Sequence, residues 1–520
     1  MKLNPTAILL LVFLINVLLR LIFVFYGYIG SEEGFLIYGQ KLAYQGLIPF
    51  IDYNAWNSLL NNYLVGWYQF FLHPTIITQR LFGLIMASLV FFLVVYISKH
   101  FHKTHGPLIS AALLTFGSFT YLYFSTIPYS EQTMTLVLVA SWALLMKSIT
   151  SPKNKFLPYF SLCLAVLAAP IRPQAIPAII CIWLYLIFVS RQKIKKIISL
   201  TATGIIFGFL LYLPFILRGW DNFLYSILWP LQSNKILVYQ VNDKILDFSG
   251  LLRFFLEMFN SYGIFISIIG AFLAYKLIDL KSTLYQIKNE LFQSYVFFSL
   301  LSAISMASMG LLHRPPYATY IYPAIPLFTY SAVFILIENL HQFRRKNQPA
   351  VKFIYFFLGL LLFNNLVIFR HVDFMKTSLK TISKTTYSQL REISLYIESK
   401  TTNGSEIMAF YTPSVAQINR TLPININEGE VSVSILPQKE SEKFHLANQQ
   451  MLKNYISSQT AEGIVITSKS SKSFGITADL QKEVMDEIEK YYFLEKTFDN
   501  FSQIGNPRVP YLYFYLRKKV

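Results

Sequence analysis

Long apolar runs, separated by short polar connections rich in lysine and arginine, set the rhythm of this chain. Pro5 to Tyr26 is long enough to cross a hydrocarbon core, and no small-residue cleavage site follows it. It is therefore read as an uncleaved first transmembrane helix. Further spans are expected near Ile77–Ser98, Leu108–Phe124, Thr133–Lys147, Phe156–Ala169, Ile176–Val189, Ile197–Leu217, Met258–Leu277, Tyr295–Leu312, Tyr317–Ile337 and Phe353–Phe369. The pattern predicts an all-α polytopic membrane bundle of about eleven transmembrane helices, with the hairpin around Ala168–Pro177 open to a re-entrant reading. Beyond Phe369 the periodicity changes. Glu406–Thr412, Gly463–Ser468 and Tyr511–Lys519 read as strands and Asp479–Tyr492 as a helix, so residues 371–520 are expected to form a soluble α/β domain after a membrane domain of residues 1–370.

The charged positions give this bundle an orientation. Lys99 and Lys103, then Lys147, Lys153 and Lys155, then Arg191, Lys193, Lys195 and Lys196, then Lys276, Lys281 and Lys288, then Arg344, Arg345, Lys346 and Lys352 fall in every second connection. Basic residues favour the cytoplasmic side, which places the N-terminus inside and both the first loop (residues 28–76) and the C-terminal domain outside the plasma membrane. The formal charge of +18 follows from that distribution and does not call for a nucleic-acid partner. Only 14% of residues are charged against 54% hydrophobic, below the roughly 25% charged of soluble domains, so membrane lipid is the expected surrounding. Cys163 and Cys181 sit in apolar runs and read as small buried hydrophobes rather than disulfide partners or metal ligands.

Sparse charges on the outer face are the candidates for chemistry. They are Glu32, Glu33, Asp52, Arg80, Glu131, Arg172, Arg218, Lys235, Arg253 and Arg314. Adjacent carboxylates at the mouth of a spanning helix are costly unless used or wetted, and Glu32 and Glu33 open a stretch dense in Tyr, Trp, Gly and Asn. A carboxylate can take a proton from an alcohol or amine, and guanidinium or ammonium groups can hold a phosphate. Arg172 lies among Pro170, Pro173 and Pro177, which interrupt the helical ladder; both a phosphate pocket and a plain interhelical loop fit it. Arg314 precedes Tyr317, Tyr320 and Tyr322, for which interfacial anchoring is the structural alternative. Glu131 also suits a helix start after the cap candidate Ser130. Arg20, inside the first span, reads as a structural pairing residue, and the aromatic Arg218–Arg253 segment as an interfacial one.

These elements resemble the GT-C superfamily of polytopic glycosyltransferases, in particular prokaryotic relatives of the protein O-mannosyltransferases and of the lipid A aminoarabinose transferase. The resemblance rests on Glu32-Glu33-Gly34, Gln45 to Phe50 with Asp52-Tyr53, Arg80-Leu81, Arg172-Pro173-Gln174, and Tyr320 to Pro326. It implies a sugar donor linked to polyprenyl phosphate, an outward-facing site, inversion at the anomeric carbon, and Glu32 as general base, with Glu33 and Glu131 as further catalytic acids. It also implies donor phosphate binding by Arg172, Arg80, Arg314 and Lys235, and substrate contacts from Asp52, Tyr53, Gln174, Tyr320 and Tyr322. The acceptor would be a hydroxyl or amine of a protein, lipid or glycan, and the sugar a hexose or pentose. In some family members such acids hold a divalent metal; no obligatory metal or other cofactor is expected here, since the outer face carries no His-rich ligand set. Two positions depart from the family pattern: Glu32 stands where Asp is usual, and Thr319-Tyr320 where His-Tyr is usual. A glycan polymerase or ligase, a lipid-linked sugar transporter and a ligand sensor are the competing classes. A polymerase would concentrate its chemistry in a late outer loop, and a transporter would place charges at the midplane of paired halves.

Overall fold

The computed structural model describes residues 4–55, 58–151, 153–189, 194–236, 261–263, 265, 290–309, 318–344, 385–423, 433–434, 436–467, 478–499, 501 and 511–518. In chain order the helices are α1 (Pro5–Tyr26), α2 (Ser31–Tyr44), α3 (Asn61–Gly66), α4 (Ile76–Lys99), α5 (His105–Phe116), α6 (Phe119–Phe124), α7 (Ser130–Thr150), α8 (Leu157–Ile171), α9 (Ile176–Val189), α10 (Ile194–Arg218), α11 (Trp220–Ile236), α12 (Leu291–Met309) and α13 (Ile325–Arg344). The tail adds α14 (Thr386–Lys400), α15 (Pro413–Ala416), α16 (Gln438–Lys443), α17 (Gln449–Ser457) and α18 (Ala478–Tyr491). Its strands are β1 (Ile407–Ala409), β2 (Val433–Ser434), β3 (Ala447–Asn448), β4 (Gly463–Ile466), β5 (Tyr492–Phe498) and β6 (Leu512–Arg517).

Among the described residues, α1, α4, α7, α10 and α12 are long and apolar enough to cross a membrane, and the protein is an integral membrane protein. The spans expected at Phe353–Phe369 and, apart from residues 261–263 and 265, at Met258–Leu277 lie outside the described residues. Two expected spans have a different form. Leu108–Phe124 is broken at Gly117-Ser118: Gly117 ends α5, and the extended Ser118 starts α6 by accepting the Tyr121 N–H through its hydroxyl at 3.0 Å. Tyr317–Ile337 opens as a 3-10 turn over Ala318–Ala324 around Pro323, and α13 follows.

The chain groups into two compact units. The first comprises Met1–Leu21, Gly83–Leu213 and Leu246–His371. Its interior centres on fully buried aromatics: Trp142 and Tyr295 meet edge to face at 5.0 Å, Tyr185 packs on both, and the Tyr295 hydroxyl donates to the Trp142 carbonyl at 2.8 Å. Small polar residues let α7 and α8 approach, with Ser141 Oγ donating to Ser161 O at 2.8 Å. At Gly83 a β-carbon would overlap the Thr126 carbonyl oxygen, so only glycine allows α4 to run against that turn.

The second unit comprises Ile22–Phe82, Pro214–Ile245 and Val372–Val520. Its four-stranded sheet runs β1-β4-β6-β5, with β1 and β4 parallel and the other pairs antiparallel. A shift of register between Leu494 and Lys496 bends β5. Met408, Ile464, Ile466 and Tyr515 from the sheet form a buried core with Leu452, Ile456, Val484 and Ile488 from α17 and α18. The expected strands at Glu406, Gly463 and Tyr511 and the helix at Asp479 match β1, β4, β6 and α18. A further strand, β5, begins at Tyr492 directly where α18 ends. The tail therefore packs as one unit with the first loop and with α11. Tyr225 of α11 stacks on Phe444 at 3.8 Å, and the Tyr38 hydroxyl of α2 donates to the Leu422 carbonyl at 2.7 Å.

Candidate functional site

Each unit holds one cluster of the charged residues singled out above. In the second unit the cluster forms at the start of α2. Gly30 is the extended residue before the helix, and Glu33 folds back so that its Oε1 accepts the Gly30 N–H at 3.1 Å. From α4, Arg80 meets the same carboxylate with two bonds of 2.7 Å, Nε to Oε2 and Nη2 to Oε1, both side chains fully buried. The rest of its guanidinium donates to carbonyls at the end of α1 and just after: Phe23 at 2.9 Å, Val24 at 3.4 Å, Gly27 at 3.2 Å, and Tyr28. Arg80 thereby caps the C-terminal end of α1, where carbonyls run short of N–H donors; the Phe23 carbonyl also accepts the Gly27 N–H at 2.9 Å. Glu32, one residue before, is exposed.

The other candidates in this unit shape the first loop. Asp52 accepts the Ile48 N–H at 2.7 Å, closing a turn in which Phe50 takes the left-handed φ of 64°. Tyr53 is fully buried, donating to the Gly39 carbonyl at 2.9 Å and accepting from Asn62 Nδ2 at 3.0 Å. Burial pushes the Tyr38 hydroxyl up to about 12, so it stays a neutral donor. Lys235 falls within α11 with its side chain outside the described residues.

In the first unit the cluster forms where α7 starts and α8 ends. Pro173 forces the residue before it out of the helical region, and Arg172 accordingly takes φ −156°, ψ 122°. Its Nη2 lies 2.8 Å from Glu131 Oε1, its Nη1 donates to Ser130 Oγ at 2.9 Å, and its Nε donates to Gln174 Oε1 at 3.2 Å. Gln174 passes the constraint on through its Nε2, which donates to the Met306 carbonyl at 3.2 Å. The Arg172 and Glu131 side chains remain 9% and 11% exposed, in contrast to the sealed Glu33–Arg80 pair. Ser130 is the first residue of α7 rather than its cap; Tyr129 holds the cap position, and the Ser130 hydroxyl bridges Arg172 and Glu131 instead. Tyr322 is buried and stacks on Phe124 at 5.7 Å. Arg314 and the Tyr320 side chain lie outside the described residues.

One feature was not singled out in the sequence. Gln132 is fully buried beside Glu131, and neither end of its amide has a partner among the described residues. Arg20 is fully buried among neutral partners: Nε donates to Asn16 Oδ1 at 2.9 Å, Nη1 donates to the Leu122 carbonyl at 3.3 Å and to Ser125 Oγ, and the guanidinium lies 5.2 Å from the Tyr121 ring centre. The expected pairing of Arg20 is thus with uncharged groups. No three His, Cys, Asp or Glu side chains gather among the described residues, and Glu33 and Glu131 are each engaged by an arginine, so these acids do not form a divalent-metal site.

The chain matches no protein-family model, and comparison with curated proteins gives no significant match. Solved structures do match. ArnT from Cupriavidus metallidurans in the apo state aligns with a TM-score of 0.53 at 11% identity, covering 98% of this chain and 96% of that one. ArnT bound to undecaprenyl phosphate aligns at 0.51 and 11%, covering 98% and 97%. The oligosaccharyltransferase AglB from Archaeoglobus fulgidus, in complex with an inhibitory peptide and a dolichol-phosphate, aligns at 0.51 and 11%, covering 98% of this chain and 74% of its own. Across nearly its whole length the chain therefore has the fold of the GT-C polytopic membrane glycosyltransferases, the fold its motifs implied.

Proposed function

We propose that this protein is a membrane glycosyltransferase that moves a hexose or pentose from a polyprenyl-phosphate carrier to a hydroxyl or amine of a protein, lipid or glycan. The N-terminus would be cytoplasmic and the chemistry would take place at the outer face of the plasma membrane, as the loop charges imply. The fold supports the class of reaction. The observation that carries the residue assignment is the unequal fate of two neighbouring acids: Glu33 is sealed against Arg80, whereas Glu32 is exposed in the same helical turn.

In this reading Glu32 is the general base. Its carboxylate takes the proton of the acceptor O–H or N–H as that atom bonds to the anomeric carbon, while the bond from that carbon to the phosphate oxygen breaks on the opposite face. Inversion follows from the single displacement, and the electron pair leaves with polyprenyl phosphate. Glu33 and Arg80 hold the turn that carries Glu32; their mutual neutralisation leaves neither suited to the acid or phosphate-binding role the motif implied. For the departing phosphate the candidate is Arg172, which keeps partial exposure and is oriented by Gln174 and Ser130. Its pairing with Glu131 also gives that acid an orienting role.

Glu32→Gln tests the assignment. In membranes supplied with a polyprenyl-phosphate sugar it should abolish transfer while leaving the amount of folded protein unchanged; sustained transfer would remove Glu32 from the base role.

A further inference from the structure

Resting on the reading of Glu32 as base, we propose that Tyr411, Thr412 and Pro413, in the tail, are positioning residues for that base. In a helix, successive residues point about 100° apart, so Glu32, Glu33 and Gly34 face three directions. Glu33 is fixed by Arg80. On the Gly34 side the tail abuts the backbone: a β-carbon there would overlap Pro413 N, Thr412 Oγ1 and the Thr412 carbonyl carbon. The Tyr411 hydroxyl donates to the Ile29 carbonyl at 3.0 Å, just ahead of the helix start. Two of the three directions are thus held, and the third carries the exposed acid.

The segment making this contact is itself rigid. It continues from β1, whose parallel pairing with β4 extends through the Phe410 N–H donating to the Val465 carbonyl at 2.8 Å. The Val415 and Ala416 N–H groups donate to the Thr412 carbonyl at 3.0 and 2.9 Å, and Ser414 Oγ donates to the Tyr411 carbonyl at 2.7 Å. The Tyr411 ring packs edge to face on Phe501 at 4.7 Å. Tyr411, Thr412 and Ser414 are at most 2% exposed, so this is a packed tooth rather than a solvated loop. The contact is narrow, and glycine is the residue that permits it. Its effect is to fix where the Glu32 carboxylate stands, in a reaction for which a displacement of about 1 Å costs on the order of a hundredfold.

The test uses the full chain with Cys163 and Cys181 replaced by serine and a nitroxide spin label at Glu32→Cys, which needs no substrate. The label should give a single motionally restricted spectrum, and adding Tyr411→Phe or Gly34→Ala should introduce a mobile component at a temperature well below the unfolding midpoint measured for each variant. Identical spectra in parent and both variants would overturn the proposal. With Glu32 intact, and a synthetic short-chain polyprenyl-phosphate hexose as probe, Tyr411→Phe should lower kcat about tenfold with KM for the probe unchanged, as expected for a misplaced base. An unchanged kcat would also overturn it. If Glu32→Gln still transfers sugar, the base assignment fails while the spectral result stands on its own, so the two failures are separable.

Discussion

Arg80→Met is the perturbation whose outcome the geometry fixes most tightly. The change removes both bonds to Glu33 and the donors to the carbonyls of Phe23, Val24, Gly27 and Tyr28, with both side chains of the pair at 0% exposure. Glu33 then keeps the Gly30 N–H and loses its counter-charge in a site closed to water. Breaking one side of such a pair costs about 3–5 kcal/mol, because the remaining charge stays buried. Removing both charges in Glu33→Leu/Arg80→Met should recover much of this, leaving an interaction energy of about 3 kcal/mol in the double-mutant cycle. Equilibrium unfolding of the purified protein in mixed micelles, for wild type, both single variants and the double, measures that energy. Additive single effects, or an Arg80→Met protein as stable as wild type that has lost affinity for polyprenyl phosphate, would refute the structural role and return Arg80 to phosphate binding.

Other outcomes follow from the same geometry. On the proposed reading, Arg172→Ala should raise KM for the lipid-linked donor more than it lowers kcat in steady-state assays, since it would remove the phosphate-binding cation and leave Glu32 in place. Gly83→Ala should destabilise the protein by about 1–3 kcal/mol, because its β-carbon overlaps the Thr126 carbonyl oxygen of a packed turn; thermal unfolding checks this. Arg20→Lys should cost about 1–3 kcal/mol in the same measurement, since an ammonium cannot reproduce the planar fork that reaches Asn16, Leu122 and Ser125. Glu462 has a pH signature. Although burial pushes its carboxyl up, Thr402, whose N–H and hydroxyl donate at 2.6 and 2.9 Å, and the nearby charge of Arg517 hold it below the usual carboxylate range. A carboxyl lowered in the folded state contributes stability above its ordinary value and loses it as pH falls through the lower one. Acid titration of unfolding should therefore show a stability loss in that window that is smaller in Glu462→Gln.

Sequence reading reached the fold through signals that act locally. Apolar length marked α1, α4, α7, α10 and α12, and the X-Pro rule accounts for the extended Arg172 between α8 and α9. The break at Gly117-Ser118 was equally local, a glycine stop followed by a serine cap, yet the uniform apolarity around it read as one span. What stayed illegible depends on tertiary approach. Glu33 and Arg80 lie 47 residues apart, and nothing in the acidic pair itself distinguishes the sealed carboxylate from the exposed one. The packing of Tyr411–Pro413 on Gly34 was hidden for the same reason, because periodicity tells which face of an element is buried and not which distant segment buries it. Ser130 looked like a cap and serves as a bridge, since the distinction rests on where Arg172 reaches.

A mass balance in proteoliposomes distinguishes transfer of a carrier-bound sugar, with Glu32 as the proposed base, from transport of the intact lipid. Wild-type protein given a radiolabelled polyprenyl-phosphate sugar and a mixture of membrane-derived acceptors should release polyprenyl phosphate in step with labelled product of inverted anomeric configuration, and Glu32→Gln should release neither. Label carried across the bilayer still attached to its lipid would make the protein a transporter, and equal release from wild type and Glu32→Gln would remove Glu32 from the base role.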